Sequence, residues 1–351
     1  ALRRFPMEDS VDADGGWPPR PAEVTFGFVL AHEQFPVPEL VEYGIAAEQA
    51  GFDAVWTSDH FHPWQDNQGH AGFAWATLAA LGQRTARIAL GTGVTCPTYR
   101  YNPAIVAAGF ASLSLLYPGR VFLGVGTGEA MNEVPTGGGW GAYAERADRL
   151  VEAMRVIRQL WTGDWVSHDG RYYHLKDARL YDPPPQPVPI YVAAAGPQSM
   201  RLAGEHGDGL ITNATLATKQ ELRAAFAEGA RAAGKDPARL PILVEHFVVV
   251  GDRQEAERWA RLWWFEPKAC KGLQNDPDPR SIQRRAETEI PLAEVYGDWQ
   301  IGEDPDGHVQ AIEKLLASGV THVFVHSPQR DQKRVIDFYA REVLPRLRGS
   351  R

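Results

Sequence analysis

A (β/α)8 TIM barrel is the fold class this sequence predicts, and it rests on three observations. Eight short β-branched or apolar runs recur along the chain, helix-like segments with apolar residues three and four apart lie between them, and 351 residues suffice for one large barrel domain. The runs are VTFGFVLA (24–31), FDAVWT (52–57), RIALGTGV (87–94), VFLGVGTG (121–128), PIYVAAA (189–195), GLITN (209–213), LPILVEHFVVV (240–250) and HVFVHSP (322–328). Repeated strand-helix alternation implies a parallel sheet, which eight units close into a barrel; a doubly wound open sheet is the alternative.

The helix candidates carry Gly near their ends, in PELVEYGIAAEQAG (38–51), YAERADRLVEAMRVIRQLW (143–161), KQELRAAFAEGARAAG (219–234) and DGHVQAIEKLLASG (306–319). The longest uncharged run, from Tyr101 to Gly119, contains Asn102, Pro103, Ser112 and Ser114, which makes it a buried amphipathic helix and a poor membrane span. Stretches near 130–140, 162–189 and 265–291 do not fit the repeat. The second alternates like a hairpin around Asp169-Gly170, after the fourth helix, and the third precedes the last strand. Residues 23–348 are expected to form the single domain. Residues 1–22, rich in Pro, Gly and Asp, read as a poorly ordered or draped extension without the apolar stretch of an export signal.

A net charge of −8 and the lack of a Lys/Arg run argue against a nucleic-acid partner, because phosphate backbones require a basic surface. Cys96 and Cys270 stand alone, which gives neither a disulfide framework nor a thiolate metal site and fits a cytoplasmic setting. No metal is expected, since His60 and His62 would point to opposite sides of an extended loop.

Barrel chemistry collects at the carboxyl ends of the strands. There, SDHFHPW (58–64) follows the second strand. His60 is either a structural ring or a base, with Asp59 beside it as an orienter and Trp64 as an aromatic wall. After the third strand, Gly91 and Gly93 invite close approach of a ligand or an unusual peptide geometry, or serve as turn glycines. GVGTGEAMNE ends the fourth strand without the spacing of a dinucleotide fingerprint and sets Glu129 where Gly126 and Gly128 leave room. AAAGPQSM after the fifth strand offers free amides at a helix start for a phosphate, or small residues for tight packing. No G-x-S-x-G elbow anchors a hydrolase triad.

Together, SDHFHPW, TYRYNPA, LYPGRVFLGVGTGEAMNE and RQLWTGDWVSHDGRYYHLKDARLYD resemble the bacterial luciferase-like superfamily, and within it the F420-dependent dehydrogenases of sugar phosphate and hydroxymycolic acid. The resemblance runs from about Phe26 to Leu347. It implies coenzyme F420, a deazaflavin, at the carboxyl face of the barrel. Asp59, His60, Trp64, Glu129 and Glu33 match catalytic positions of these enzymes, with His60 as base oriented by Asp59. Gly93 and Val94 match a pair joined by a non-proline cis peptide behind the deazaflavin. Cys96, Thr127, Gly128, Asn132, Ala194, Ala195 and Gly196, together with Asp59 and Glu129, are expected to line the cofactor.

The sugar-phosphate enzymes hold their substrate phosphate with two lysines and an arginine. Those positions fall near Leu216, near Leu273 or Gln274, and at Asp298 in this sequence. The substrate is therefore expected to be a neutral, partly apolar secondary alcohol, as in the hydroxymycolic acid branch. WARLWWFEP (259–267) either walls its pocket or packs in the core. The rivals are a sugar-6-phosphate dehydrogenase using Arg280, Arg284 or Arg285, an FMN-dependent monooxygenase, and a non-catalytic carrier. The resemblance also implies a homodimer.

Overall fold

The computed structural model describes residues 24–349, so the extension assigned to 1–22 lies outside the described residues. The eight expected runs form eight parallel strands: β1 (Thr25–Leu30), β2 (Ala54–Thr57), β3 (Ala89–Thr92), β4 (Val121–Val125), β5 (Ile190–Ala193), β6 (Gly209–Asn213), β7 (Ile242–Val249) and β8 (His322–His326). Each pairs with the next, and β8 returns to β1 with Phe26 opposite Val323, which closes the barrel and removes both sheet edges. An open doubly wound sheet is thereby excluded.

Alternate residues of each strand face inward. Val29, Ala54, Trp56, Ala89, Phe122, Tyr191, Ile211, Leu243 and Phe324 fill the interior, with Trp56 stacked on Phe324 at 3.8 Å between ring centroids. The strands make room for these rings with glycine. A Cβ on Gly91 would stand 2.2 Å from the Phe122 ring, and one on Gly27 would stand 2.3 Å from Phe324. The outward residues meet a ring of helices, among them α1 (Val37–Gln49), α2 (Ala74–Gly82), α3 (Pro103–Leu116), α4 (Tyr143–Leu160), α5 (Pro197–His206) and α6 (Gln220–Ala232).

The Tyr101–Gly119 run begins its helix as its sequence dictates: the Asn102 side chain caps α3 by accepting from the Ala104 amide at 2.8 Å, and Pro103 occupies the first turn. No helix among the described residues is long and apolar enough to cross a membrane. Neither α2 nor α3 contains a charged residue, and beside or on them Phe73, Ile105 and Leu116 are more than half exposed.

The three irregular stretches all bear on the mouth of the barrel. Within 162–189 a hairpin pairs Val166–Asp169 with His174–Ala178. The carboxylate of Glu152 on α4 anchors it by accepting from the amides of Tyr172 and Tyr173, and the Tyr173 hydroxyl then donates to the carbonyls of Pro97 and Thr98, each at 2.8 Å. The hairpin thus fixes the loop after β3. Within 265–291 the chain forms short helical turns and then α7 (Pro279–Glu289). The indole of Trp140, at the end of the 130–140 stretch, donates to the Asn275 side chain at 3.0 Å and ties those two insertions together.

The tryptophans of 259–267 serve packing. Trp263 is buried and donates to the Gln34 side chain at 3.0 Å, Trp264 donates to the Ile290 carbonyl, and Trp259 to Glu255 on its own helix. The residue that faces Trp64 is their neighbour Phe265, stacked on it at 4.5 Å.

Candidate active site

The loops after β1 and β2 are joined by polar contacts that position a carboxylate and an imidazole. His32 is fully buried, with Nδ1 2.9 Å from the Ser58 carbonyl and Nε2 2.7 Å from the Thr77 hydroxyl. The Ser58 hydroxyl accepts from the His32 amide and donates to Glu33 at 2.6 Å. The second oxygen of Glu33 lies 3.5 Å from Nε2 of His60. Burial pushes the Glu33 carboxyl up, but the His60 imidazole, the Ser58 hydroxyl and its own backbone amide pull harder and leave it below the usual carboxylate range.

The other ring nitrogen of His60, Nδ1, lies 3.0 Å from the His62 carbonyl. The Asn132 side-chain nitrogen, a donor, is also 3.4 Å from Nδ1, but the carbonyl is closer and can only accept, which favours the ring protonated at Nδ1 with Nε2 as the nitrogen able to take up a proton. Asn132 holds the same loop, its side-chain oxygen accepting from the amides of Phe61 and His62 at 2.8 and 3.2 Å. Its nitrogen donates to Glu129 at 3.2 Å. His60, Glu33, Asn132 and Glu129 therefore share one contiguous set of contacts, and the Trp64 ring lies 6.2 Å from the His60 ring.

The Asp59 carboxylate is held from the loop after β3. It accepts from the hydroxyls of Thr95 and Tyr101 at 2.7 and 2.9 Å and meets the Arg100 guanidinium at 3.3 Å. Successive side chains of an extended segment point to opposite sides, so Asp59 faces the loop after β3 while His60 faces the mouth. The imidazole is oriented by Glu33 and the His62 carbonyl, and Asp59 fastens loop to loop.

The expected cofactor-lining residues come together along the β3, β4 and β5 ends. The Gly93–Val94 peptide is cis. Gly93 lies over Trp56, where a Cβ would stand 2.8 Å from the ring, and a Cβ on Gly126 would stand 2.8 Å from Val94. Gly128 has φ +88°, a left-handed conformation that favours glycine, and Thr127 beside it is half-buried. Cys96 is buried, and burial followed by the Glu129 and Glu133 carboxylates raises its thiol well above the ordinary range, which keeps it protonated and uncharged. Ala194 is buried in the core, and the amides of Ala195 and Gly196 converge on the hydroxyl of Ser199 at 3.1 and 3.0 Å, at the start of α5.

Sequence reasoning missed several residues. Glu133 is fully buried behind Gly128, accepts from the Arg100 amide at 2.6 Å, and is pushed up to about 7 mainly by burial. Its helical spacing from Glu129 was visible, but the Arg100 contact was not. Tyr101 and Arg100 lay inside a quoted motif without a role. At the expected phosphate positions, Leu273 is buried, Gln274 accepts from the Gly272 amide, and Asp298 is exposed and accepts from the Thr215 hydroxyl. No group of three or more His, Cys, Asp and Glu side chains suited to a metal ion occurs among the described residues.

This arrangement can remove a proton from a hydroxyl placed at Nε2 of His60, with Glu33 balancing the charge that arrives. Comparison with known proteins places it. The chain is 51% identical over 330 residues to F420-dependent hydroxymycolic acid dehydrogenase of Mycobacterium tuberculosis, covering 94% of this chain and 90% of that one. It is 41% identical to F420-dependent glucose-6-phosphate dehydrogenase of Mycolicibacterium gilvum, with 93% and 99% covered. Among solved structures it superposes with a TM-score of 0.87, at 35% identity and over 93% of this chain and 99% of the other, on an F420-dependent secondary alcohol dehydrogenase in complex with an F420-acetone adduct. The model of the luciferase-like monooxygenase family matches residues 24–322, which take in β1 to β7 and the insertions, and the chain belongs to that family.

Proposed function

We propose that the chain is an F420-dependent dehydrogenase that oxidises a secondary alcohol on a neutral, partly apolar substrate. The observation that carries this reading is the half-buried His60 against the buried Glu33 at the carboxyl end of the barrel, with Nδ1 on a carbonyl and Nε2 beside a carboxylate. Relatives across nearly the whole chain are F420-dependent enzymes, and one is an alcohol dehydrogenase with an adduct of F420 and acetone.

The residues present fit a deazaflavin. Gly93, Gly126 and Gly128 leave a floor without side chains, where a Cβ at the first two would collide with Trp56 and Val94. The amides of Ala195 and Gly196 at a helix N-terminus donate to the Ser199 hydroxyl, a position that a phosphate oxygen would take over, and a Cβ at Gly196 would meet nothing within 4 Å. When bound, F420 supplies the acceptor for the hydride of the alcohol carbon. His60 takes the hydroxyl proton at Nε2, Glu33 stabilises the imidazolium, and Asn132 holds the loop and Glu129 in register. Trp64 and Phe265 form an apolar wall beside the alcohol.

Anaerobic mixing of the protein, F420 and simple secondary alcohols is expected to bleach the deazaflavin absorption band in proportion to alcohol. No bleaching, or oxygen uptake with FMN instead, would replace this reading by that of a monooxygenase.

The working unit is a homodimer joined through α2 and α3. Helices without charged residues that leave Phe73, Ile105 and Leu116 exposed have an apolar face that a second copy would cover. Leu116→Glu is expected to shift the sedimentation coefficient from dimer to monomer, and an unshifted dimer would place the interface elsewhere.

A further inference from the structure

Across the mouth from His60, a second carboxylate–imidazole pair stands on β7 and β8. Leu243 and Phe324 fill the barrel interior, so Glu245 and His326, two residues further along their strands, also face inward, one layer nearer the mouth. Nδ1 of His326 and one oxygen of Glu245 are 2.6 Å apart. The two side chains differ in exposure, 2% for His326 and 32% for Glu245. An interior barrel residue exposed to that extent borders the open mouth.

The imidazole is clamped by aromatic rings. Phe247 lies 4.2 Å from it and Trp263 meets it edge-on at 4.5 Å, the same Trp263 whose indole is fixed by Gln34. His326 is 1% exposed, and its Nε2 has no hydrogen-bond partner among the described residues. A buried ring bonded only to Glu245 has one evident consequence: it fixes the first oxygen of that carboxylate and leaves the second for whatever enters the mouth. No hydrogen bond reaches that second oxygen among the described residues.

The surroundings favour a particular occupant. Glu266, on the insertion above, is pushed up to about 7 by burial and then by the Glu245 and Asp298 carboxylates, against a smaller pull from Lys271. Phe247 stacks on Trp299 at 5.1 Å on the same side. A fixed hydrogen-bond acceptor among further carboxylates and aromatic rings repels anions and needs a donor.

We propose that Glu245, positioned by His326, is a specificity-determining residue that selects alcohols carrying a second hydrogen-bond donor, a hydroxyl or an ammonium group, remote from the carbon that is oxidised. This rests on the F420-dependent alcohol dehydrogenase reading given above. A substrate without that donor leaves the Glu245 oxygen desolvated and unpaired, and a hydrogen bond to a charged group is worth enough to give discrimination of roughly tenfold or more.

The test compares kcat/KM with F420 for three chain-matched substrates, a secondary mono-alcohol, the same alcohol with a distal hydroxyl, and its distal amine, in the wild type and in Glu245→Gln and Glu245→Leu. The wild type is expected to prefer one or both donor substrates over the mono-alcohol at least tenfold, mostly through KM. Glu245→Leu should collapse that preference at least fivefold. Glu245→Gln separates the donors: it retains much of a preference for the hydroxyl, which an amide oxygen still accepts, and loses one for the ammonium group. Equal wild-type rates for all three substrates, or variants that keep the wild-type preference, overturn the assignment. So does a loss of F420 affinity that lowers all three rates together, since Glu245 would then serve the cofactor. Failure to oxidise any alcohol would instead remove the underlying reading, a distinguishable result. Thermal melts of both variants show whether each is folded, and either one suffices to read the loss of preference.

Discussion

His60→Ala is expected to lower turnover at least a hundredfold while leaving F420 affinity nearly unchanged. General base catalysis contributes typically about 10²–10⁴-fold, and the proposed base is positioned from both sides, by the His62 carbonyl at Nδ1 and by Glu33 at Nε2. The glycine floor and the Ala195–Gly196 amides that suit the cofactor do not touch the imidazole, so its removal should spare F420 binding. Steady-state rates measured alongside fluorescence titration of F420 separate the two quantities. Turnover within a few fold of wild type would show that the hydroxyl proton leaves by another route, and a matching loss of affinity would make the ring a cofactor contact.

The barrel was legible because each strand is a short apolar run and each helix an amphipathic one, patterns set by local periods of two and of 3.6 residues. The proximity of His60 to Glu33 was legible only through resemblance, since 27 positions separate the two and the Ser58 hydroxyl that connects them gives no sequence signal. Adjacency in sequence does not reveal the partners of Asp59, whose carboxylate meets Thr95, Arg100 and Tyr101 on the next loop. Glu245 and His326 lie 81 residues apart and become partners because β7 and β8 are neighbours in the closed sheet. Strand positions could be read locally, but cross-strand pairs required the register.

The other large effect concerns the substrate's charge. Glucose 6-phosphate is expected to be oxidised with a kcat/KM roughly 10³-fold or more below that of a good neutral secondary alcohol. Three charge-assisted contacts to a phosphate, each worth about 1.5–3 kcal/mol, amount to at least three decades of affinity. At the corresponding positions this chain has Leu216, buried Leu273 or Gln274, and Asp298, whose carboxylate accepts from Thr215. Two of the nearby arginines are already paired with carboxylates. Arg280 is bonded to Asp278 and Arg285 to Asp276 and Glu289, all on or beside α7. Glu266 feels both the Glu245 and the Asp298 carboxylates, with Lys271 a smaller opposing charge, so this side of the mouth is expected to disfavour a dianion. Parallel assays of glucose 6-phosphate and a neutral alcohol, at two ionic strengths, measure the ratio and its screening. Comparable activity on both would mean that the phosphate is held by cations outside these positions, and the argument from Leu216 and Asp298 would fail. A large ratio that shrinks with added salt would identify repulsion, beyond the missing cations, as part of the discrimination.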